Sequence, residues 1–251
     1  MKKAIFFLST ISLFALTSCS SDDSSSSDQA TSTDVLVKRI IYSQEDPEGF
    51  NDIINYTYNG NKLVEGNYVD GTKEKYYYTG DLITKIEYVF DGEVEEQELF
   101  TYNANGKLIE YKDQDLVEDS EERYLFVYNA DNTITETYFD GTPQGLVSTL
   151  TIENSEISKT VQTGFNTYKY TYDTKNSAFK NVTGYAEIAY AIHGDFELNG
   201  RSHNIVSIFD QTLNRNYMAN TIQYNSNDYP TLVTSVANFM TESLTVQYFY
   251  E

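Results

Sequence analysis

The chain has 251 residues, with 38 acidic against 17 basic side chains and a formal net charge of −21, a balance that repels phosphates and sets aside nucleic-acid partners. One cysteine, two histidines and no tryptophan exclude a disulfide framework and leave few soft metal ligands, so stability must come from burial. The length suits a single all-β domain.

In chain order, Lys2 and Lys3 precede an apolar run from Ala4 to Leu16. The run is too short to span a bilayer comfortably and no stop-transfer charges follow it, so residues 1–18 read as a signal peptide. Leu16-Thr17-Ser18-Cys19 resembles a bacterial lipobox, which predicts cleavage before Cys19 and a diacylglyceryl group on its thiol. Acyl chains contribute about 0.8 kcal/mol per buried methylene and would hold the protein on a membrane without a spanning helix. Removing residues 1–18 takes away two lysines and no acid, leaving 15 basic against 38 acidic residues, a net of −23. Residues 19–35 carry almost only Ser, Asp, Thr, Gln and Ala, and predict a disordered tether with a root-mean-square reach of roughly 20–25 Å. Within it, Ser20-Ser21-Asp22-Asp23 resembles the acidic export signal of surface lipoproteins, so the expected address is the outer membrane, lipid-anchored and facing outward.

Residues 36–251 form the expected folded domain, organised by a repeated phrase: aromatic, any residue, Tyr, a polar turn, then an aliphatic strand. It runs Tyr56-Thr57-Tyr58-Asn59-Gly60, Tyr76-Tyr77-Tyr78-Thr79-Gly80, Phe100-Thr101-Tyr102-Asn103 and Phe126-Val127-Tyr128-Asn129. Later copies are Tyr170-Thr171-Tyr172-Asp173, Ile222-Gln223-Tyr224-Asn225 and Val246-Gln247-Tyr248, with a degenerate one at Leu150-Thr151-Ile152-Glu153-Asn154. The second tyrosines recur at 20 to 26 residues where no copy is missing, which suits two strands and two turns. Asp70-Gly71, Asp91-Gly92 and Asp140-Gly141 supply the turns at the opposite ends, because these residues accept positive φ.

The pattern predicts an antiparallel meander of about a dozen strands curling into a barrel or half-barrel, which would hide edges and tyrosine surface. Alternating aromatics such as Tyr124, Phe126 and Tyr128, Ile86, Tyr88 and Phe90, or Tyr168, Tyr170 and Tyr172 should each line one face, with Thr57, Glu87, Thr101 and Lys169 on the solvated face. One stretch departs from this period: Tyr185, Ile188, Ala189 and Ile192 stand at helical spacing. A short helix over about 183–194, capped by Thr183 and ended by Gly194, is expected to plug the concave side.

Three stretches carry a resemblance. Asn176-Ser177-Ala178-Phe179-Lys180-Asn181-Val182-Thr183-Gly184-Tyr185, His203-Asn204-Ile205-Val206-Ser207-Ile208 and Gln223-Tyr224-Asn225-Ser226-Asn227-Asp228-Tyr229-Pro230-Thr231 resemble a family of Bacteroidota lipoproteins of unknown function. That family is described as having a porin-like barrel and is itself similar to Tyr-Asp (RHS-type) repeats. Ala178 stands where its Asn-Pro-Phe-Lys-Asn signature has proline, and Thr183 where a proline is common. The resemblance implies the barrel fold and brings no activity, cofactor or catalytic residue.

The residues themselves offer little chemistry. His193 and His203 flank Asp195 and Glu197, a ligand set conceivable for zinc but at no known spacing. Asp113, Asp115, Glu118, Asp119, Glu121 and Glu122 are dense enough for calcium, yet lack the loop glycine and read as a charged hairpin tip. No nucleophile elbow, phosphate loop or zinc-protease helix is present. The expectation is therefore a non-enzymatic surface lipoprotein without cofactor, attached to the membrane through Cys19 and binding a glycan, a protein or a transporter partner. A glycan hydrolase with unrecognised carboxylates and a membrane-inserted barrel stay open as alternatives. The 23 tyrosines suit sugar stacking as well as sheet packing.

Overall fold

The computed structural model describes residues 34–44, 51–142, 145–192, 200–238 and 243–251. The signal peptide, Cys19, the acidic export segment and His193 to Glu197 lie outside them. Sixteen strands follow one another in a single closed antiparallel barrel, each paired with its chain neighbours. They are β1 (Val37–Gln44), β2 (Asn51–Asn59), β3 (Lys62–Tyr68), β4 (Lys73–Thr79), β5 (Leu82–Phe90), β6 (Glu93–Tyr102), β7 (Leu108–Asp115) and β8 (Ser120–Tyr128). The second half comprises β9 (Thr133–Phe139), β10 (Leu146–Glu153), β11 (Glu156–Gln162), β12 (Thr167–Tyr172), β13 (Ile205–Asp210), β14 (Arg215–Tyr224), β15 (Pro230–Ala237) and β16 (Leu244–Tyr250). The seam is β1 against β16, with Val37 opposite Tyr250 and Ile40 opposite Tyr248. Sixteen strands exceed the dozen expected: the eight copies of the phrase, the degenerate one at Leu150–Asn154 included, correspond to two strands each.

The repeated tyrosine has a physical role in the ladder. Six hairpins carry one extra residue at the same place, just inside the second strand: Val64, Thr84, Ile109, Ser158, Val206 and Thr231. The seam has its own at Lys38. Such a bulge bends the strand and leaves its carbonyl outside the regular pairing. Tyrosine hydroxyls supply the missing proton at several of these sites, from the markers Tyr58, Tyr102 and Tyr128 and from Tyr250, two residues past the marker Tyr248, while at Val206 the Asn220 side chain donates to the Ile205 carbonyl instead. Tyr102 Oη donates to the Ile83 carbonyl at 2.6 Å, Tyr128 to Leu108 at 2.9 Å, Tyr250 to Pro230 at 2.7 Å and Tyr58 to Val37 at 2.7 Å. Each accepting residue immediately precedes a bulge. Ile152 holds the same register without a hydroxyl, which accounts for the degenerate copy. Tyr102→Phe is expected to cost about 1 kcal/mol, read as a shift in the urea midpoint, because it strands one carbonyl and changes little else.

Side chains alternate as expected. Phe126, Ile134, Leu150, Ile86 and Phe100 are buried, whereas Val127 between Phe126 and Tyr128 is exposed. Phe90 is a correction: it reaches the rim and is exposed. The outer wall is polar and charged, with Lys85 Nζ 2.5 Å from Glu87 Oε1, Arg123 Nε 2.6 Å from Glu110 Oε1 and Gln97 Nε2 2.7 Å from Gln114 Oε1.

A barrel this wide leaves space that its own side chains do not fill. The connection between β12 and β13 enters it from the end that bears the marker tyrosines. Ala178, Phe179, Val182, Ile188 and Ala191 are all buried; Phe179 and Val182 join the cluster of Ile40, Ile54 and Leu63, while Ile188 and Ala191 join that of Ile83, Phe100 and Phe126. Burial of one such aliphatic or aromatic side chain contributes about 1.5–3 kcal/mol. The helix here, α1 (Tyr185–Ile188), is shorter than expected, and Thr183 does not cap it. Gly184 occupies the cap position with φ +79°, and a Cβ there would stand 2.7 Å from the Asp81 carbonyl, so the plug touches the wall where only glycine fits. Ala191 and Ile192 still donate backbone hydrogen bonds to the Ile188 carbonyl and extend the turn past the helix. Gly194 lies outside the described residues. No helix among the described residues is long and apolar enough to cross a membrane.

The plug is tied at both arms. Asp173 accepts from the Asn204 side chain at 3.1 Å and from the Tyr224 hydroxyl. Glu156 accepts the backbone N–H groups of Arg201 and Ser202 at 2.8 Å each and of His203 at 3.0 Å. Asn181 Nδ2 donates to the Val35 carbonyl at 3.1 Å, and Asn61 Nδ2 to Asp34 at 2.5 Å, so the barrel's contacts begin just before residue 36.

Candidate functional site

Above the plug the lumen holds a cavity of about 540 Å³. Eleven tyrosines line it, among them Tyr42, Tyr56, Tyr76 and Tyr88 on one side and Tyr168 and Tyr170 on the other. They come from the alternating positions of the strands, and the plug contributes Phe179, Tyr185 and Tyr190 to the floor. Asp52 and Gln162 line it near the opposite rim, where β2 begins and β11 ends.

Carboxylates share this face with the rings. Glu74, inward on β4, is buried and accepts the hydroxyls of Tyr68 and, at 2.8 Å, Tyr76. Burial raises its pKa above the usual carboxylate range, while the two phenols pull the other way. Opposite it in the β4–β5 ladder stands Tyr88, whose hydroxyl donates to Glu98 Oε1 at 3.3 Å. Glu98 is 5% exposed and its pKa is pushed up to about 8, first by burial and then by the nearby charges of Asp113, Glu74 and Glu96. Glu96 and Asp113 face each other in a shared hydrogen bond, both raised above their ordinary values chiefly by burial. The burial of Tyr56, Tyr76 and Tyr88 raises their pKa well above that of free phenol, so they act as neutral donors and ring faces.

The acidic run expected to be a hairpin tip divides between the two faces. Asp113 and Glu122 pair across β7 and β8 with the inward Glu98 and Tyr124 series, Glu118 and Asp119 form the turn, and Glu121 points outward to Gln114 Nε2 at 2.6 Å and Lys112 at 3.3 Å. Of the two histidines, His203 is placed: its Nδ1 lies 3.2 Å from Glu156 Oε1, at the plug's exit, and serves the clamp. Among the described residues no three His, Cys, Asp or Glu side chains converge as metal ligands do. Glu74, Glu98 and Glu136 were not singled out in the sequence. The signal for them was present, since each stands two residues before an inward aromatic (Tyr76, Phe100, Tyr138) and must share its face.

The raised pKa of Glu98 gives stability a pH dependence. Protons bind more tightly to the folded than to the unfolded chain, so the contribution is full below about pH 4.5 and is lost as pH rises through 8. The groups around Glu98 are Tyr88, Glu74, Asp113, Tyr111, Glu96 and Tyr185. Glu98→Gln removes the ionisation, and the variant is expected to be more stable than wild type at pH 9 by about 1–3 kcal/mol, with little difference at pH 5. Urea melts at the two pH values check this.

No family model matches the chain, and no curated protein matches it. Among solved structures, a porin-like protein from Bacteroides uniformis superposes with a TM-score of 0.51 at 16% identity, covering 86% of this chain and 96% of its own. A porin-like protein from Bacteroides vulgatus gives 0.46 at 13% identity over 87% and 99% of the two chains. The first likeness assigns this chain the architecture of the porin-like barrels, and that architecture is where the resemblance ends.

Proposed function

We propose that the chain is a lipid-anchored outer-membrane protein whose barrel is a non-catalytic binding cup, taking a compact ligand into its lumen. The observation that carries this reading is a stoppered bore holding a 540 Å³ cavity walled by tyrosines, a volume typical of small-molecule sites. The plug speaks against a diffusion pore. The outer wall speaks against insertion, because a barrel in lipid needs an apolar outward band of about 25 Å, and here Lys85, Glu87, Arg123, Glu110, Gln97 and Gln114 stand on that surface.

The lipobox at Cys19 supplies the anchor in this reading. Cys19→Ser is expected to release a folded protein that stays in solution without detergent; a variant that aggregates until detergent is added argues for insertion instead. Binding is tested by thermal shift against a panel of glycans and small amines, with turnover followed in the same wells. At least one compound should stabilise the wild type and fail to stabilise Thr160→Trp, which fills the bore from β11. Converted compounds would defeat the non-catalytic reading, and a panel without any hit would defeat the cup.

A further inference from the structure

We propose that the chain carries a second binding site, at the plugged end of the barrel, for a short neutral glycan. It lies between the plug and three successive hairpin turns, those joining β6 to β7, β8 to β9 and β10 to β11, around a cleft of about 480 Å³. That volume falls within the range of small-molecule sites. Tyr190 and Arg201 line both this cleft and the lumen cavity, so the plug is the partition between them. Each turn brings an asparagine to the cleft: Asn105, Asn132 and Asn154. All three are exposed, and among the described residues no hydrogen bond engages their side-chain amides.

The backbone adds a second observation. Gly60, Gly80 and Gly106 hold the left-handed positions in the first three turns at this end, with φ of +59°, +58° and +73°. In the two turns that follow, Asn132, Asn154 and Ser155 hold them instead, at +63°, +51° and +68°. Glycine adopts this conformation freely, asparagine tolerates it, and serine gains nothing from it. All three of these residues line the cleft. Polar side chains thus stand beside the cleft at positions where the turn alone favours glycine.

The lining also defines the class of ligand. An amide donates through its nitrogen and accepts through its oxygen, which matches a hydroxyl that does both. The half-buried rings of Tyr128 and Tyr190 lie beside the amides, their hydroxyls bonded to each other, and offer an apolar surface for the C–H face of a sugar. Charge in the cleft nearly cancels, Lys107 and Arg201 against Glu187, in a chain whose net charge is −21. Lys107 Nζ sits 4.5 Å from the centre of the Tyr128 ring, and Arg201 Nε donates to the Ala186 carbonyl at 2.7 Å. A strongly charged ligand of either sign would meet a like charge here. A peptide strand has no edge to join, because the sixteen strands close on themselves.

Calorimetry on the full chain tests this with neutral disaccharides, namely lactose, maltose, cellobiose and mannobiose. Digalacturonate and the fully deacetylated chitosan disaccharide serve as charged counterparts. At least one neutral disaccharide should bind at least tenfold more tightly than either charged one. Asn132→Gly and Asn154→Gly each remove an amide and ease the backbone, so both should keep the urea midpoint of the wild type. Each should weaken that binding about fivefold or more, the loss of one hydrogen bond. Should the glycine variants lose stability, Asn105→Ala carries the comparison, since Asn105 is exposed in its turn. Thr160→Trp fills the lumen cavity and leaves the cleft untouched, so it should change the affinity less than twofold. Binding that Thr160→Trp abolishes and the asparagine variants spare would assign the sugar to the cup and overturn this site. Silence from every neutral disaccharide, or preference for a charged one, overturns it as well and leaves the cup standing, because the site does not rest on that reading.

Discussion

Ile188→Asp is expected to destabilise the barrel by about 5 kcal/mol, the largest effect of any single exchange in the plug. Ile188 is fully buried between Ile83, Phe100 and Phe126. Loss of a buried isoleucine costs about 2–5 kcal/mol, and the new carboxylate must either shed its water or take up a proton. A domain's whole stability is about 5–15 kcal/mol, so the variant should approach collapse. Ile192→Asp provides the gradient: Ile192 is only half-buried at the edge of the same cluster, and its cost should be less than half as large. Urea denaturation followed by far-ultraviolet circular dichroism reads both. Equal, small midpoint shifts would mean that the insertion lies outside the bore.

Removal of the Glu156 side chain as Glu156→Ala should be nearly as damaging, for an electrostatic reason. Three backbone N–H groups, those of Arg201, Ser202 and His203, lose their acceptor in a place that water reaches poorly. At about 1–3 kcal/mol for each buried donor left unmade, a loss of about 4 kcal/mol is expected. Glu156→Gln keeps one carbonyl oxygen but turns an N–H₂ toward at least one of these donors, so it should fall between. Hydrogen exchange separates this from a general loosening. Amides 201–203 should exchange much faster in Glu156→Ala while those of β6 and β7 keep their protection. Uniform acceleration across the sheet, or none at residues 201–203, would refute the clamp.

Much of the architecture was legible from one repeated residue. The second tyrosine has a fixed task in several phrases, where the hydroxyls of Tyr58, Tyr102 and Tyr128 close a carbonyl beside a bulge, so its spacing tracks the hairpins. The copies themselves, the degenerate one at Ile152 included, number eight and so carry the full sixteen strands; the dozen expected undercounts what the repeat already shows. The plug was readable from the spacing of Tyr185, Ile188 and Ile192, but its helix was overestimated. The decisive constraint there is the close approach of Gly184 to Asp81, a contact between residues about a hundred positions apart. The lumen acids are hard to read from sequence for a different reason. A carboxylate between aromatics normally marks a solvated face, as Glu87 does, and only the parity with Tyr76 or Phe100 distinguishes Glu74 and Glu98 from it. His203 drew attention as a metal ligand because histidine is scarce here, yet its partner Glu156 lies 47 positions away and no local motif connects them.

The seam between β1 and β16 also fixes the order of events during folding. Val37 pairs with Tyr250, so the first strand has an unsatisfied edge until β16 has been made. The intervening hairpins can zip locally and fast, each through contacts between near neighbours in sequence, whereas closure of the ring must wait and then pays the entropy of the longest loop in the molecule. Ring completion should therefore be the slow step, and a chain truncated before β16 should be left as an open sheet with two adhesive edges.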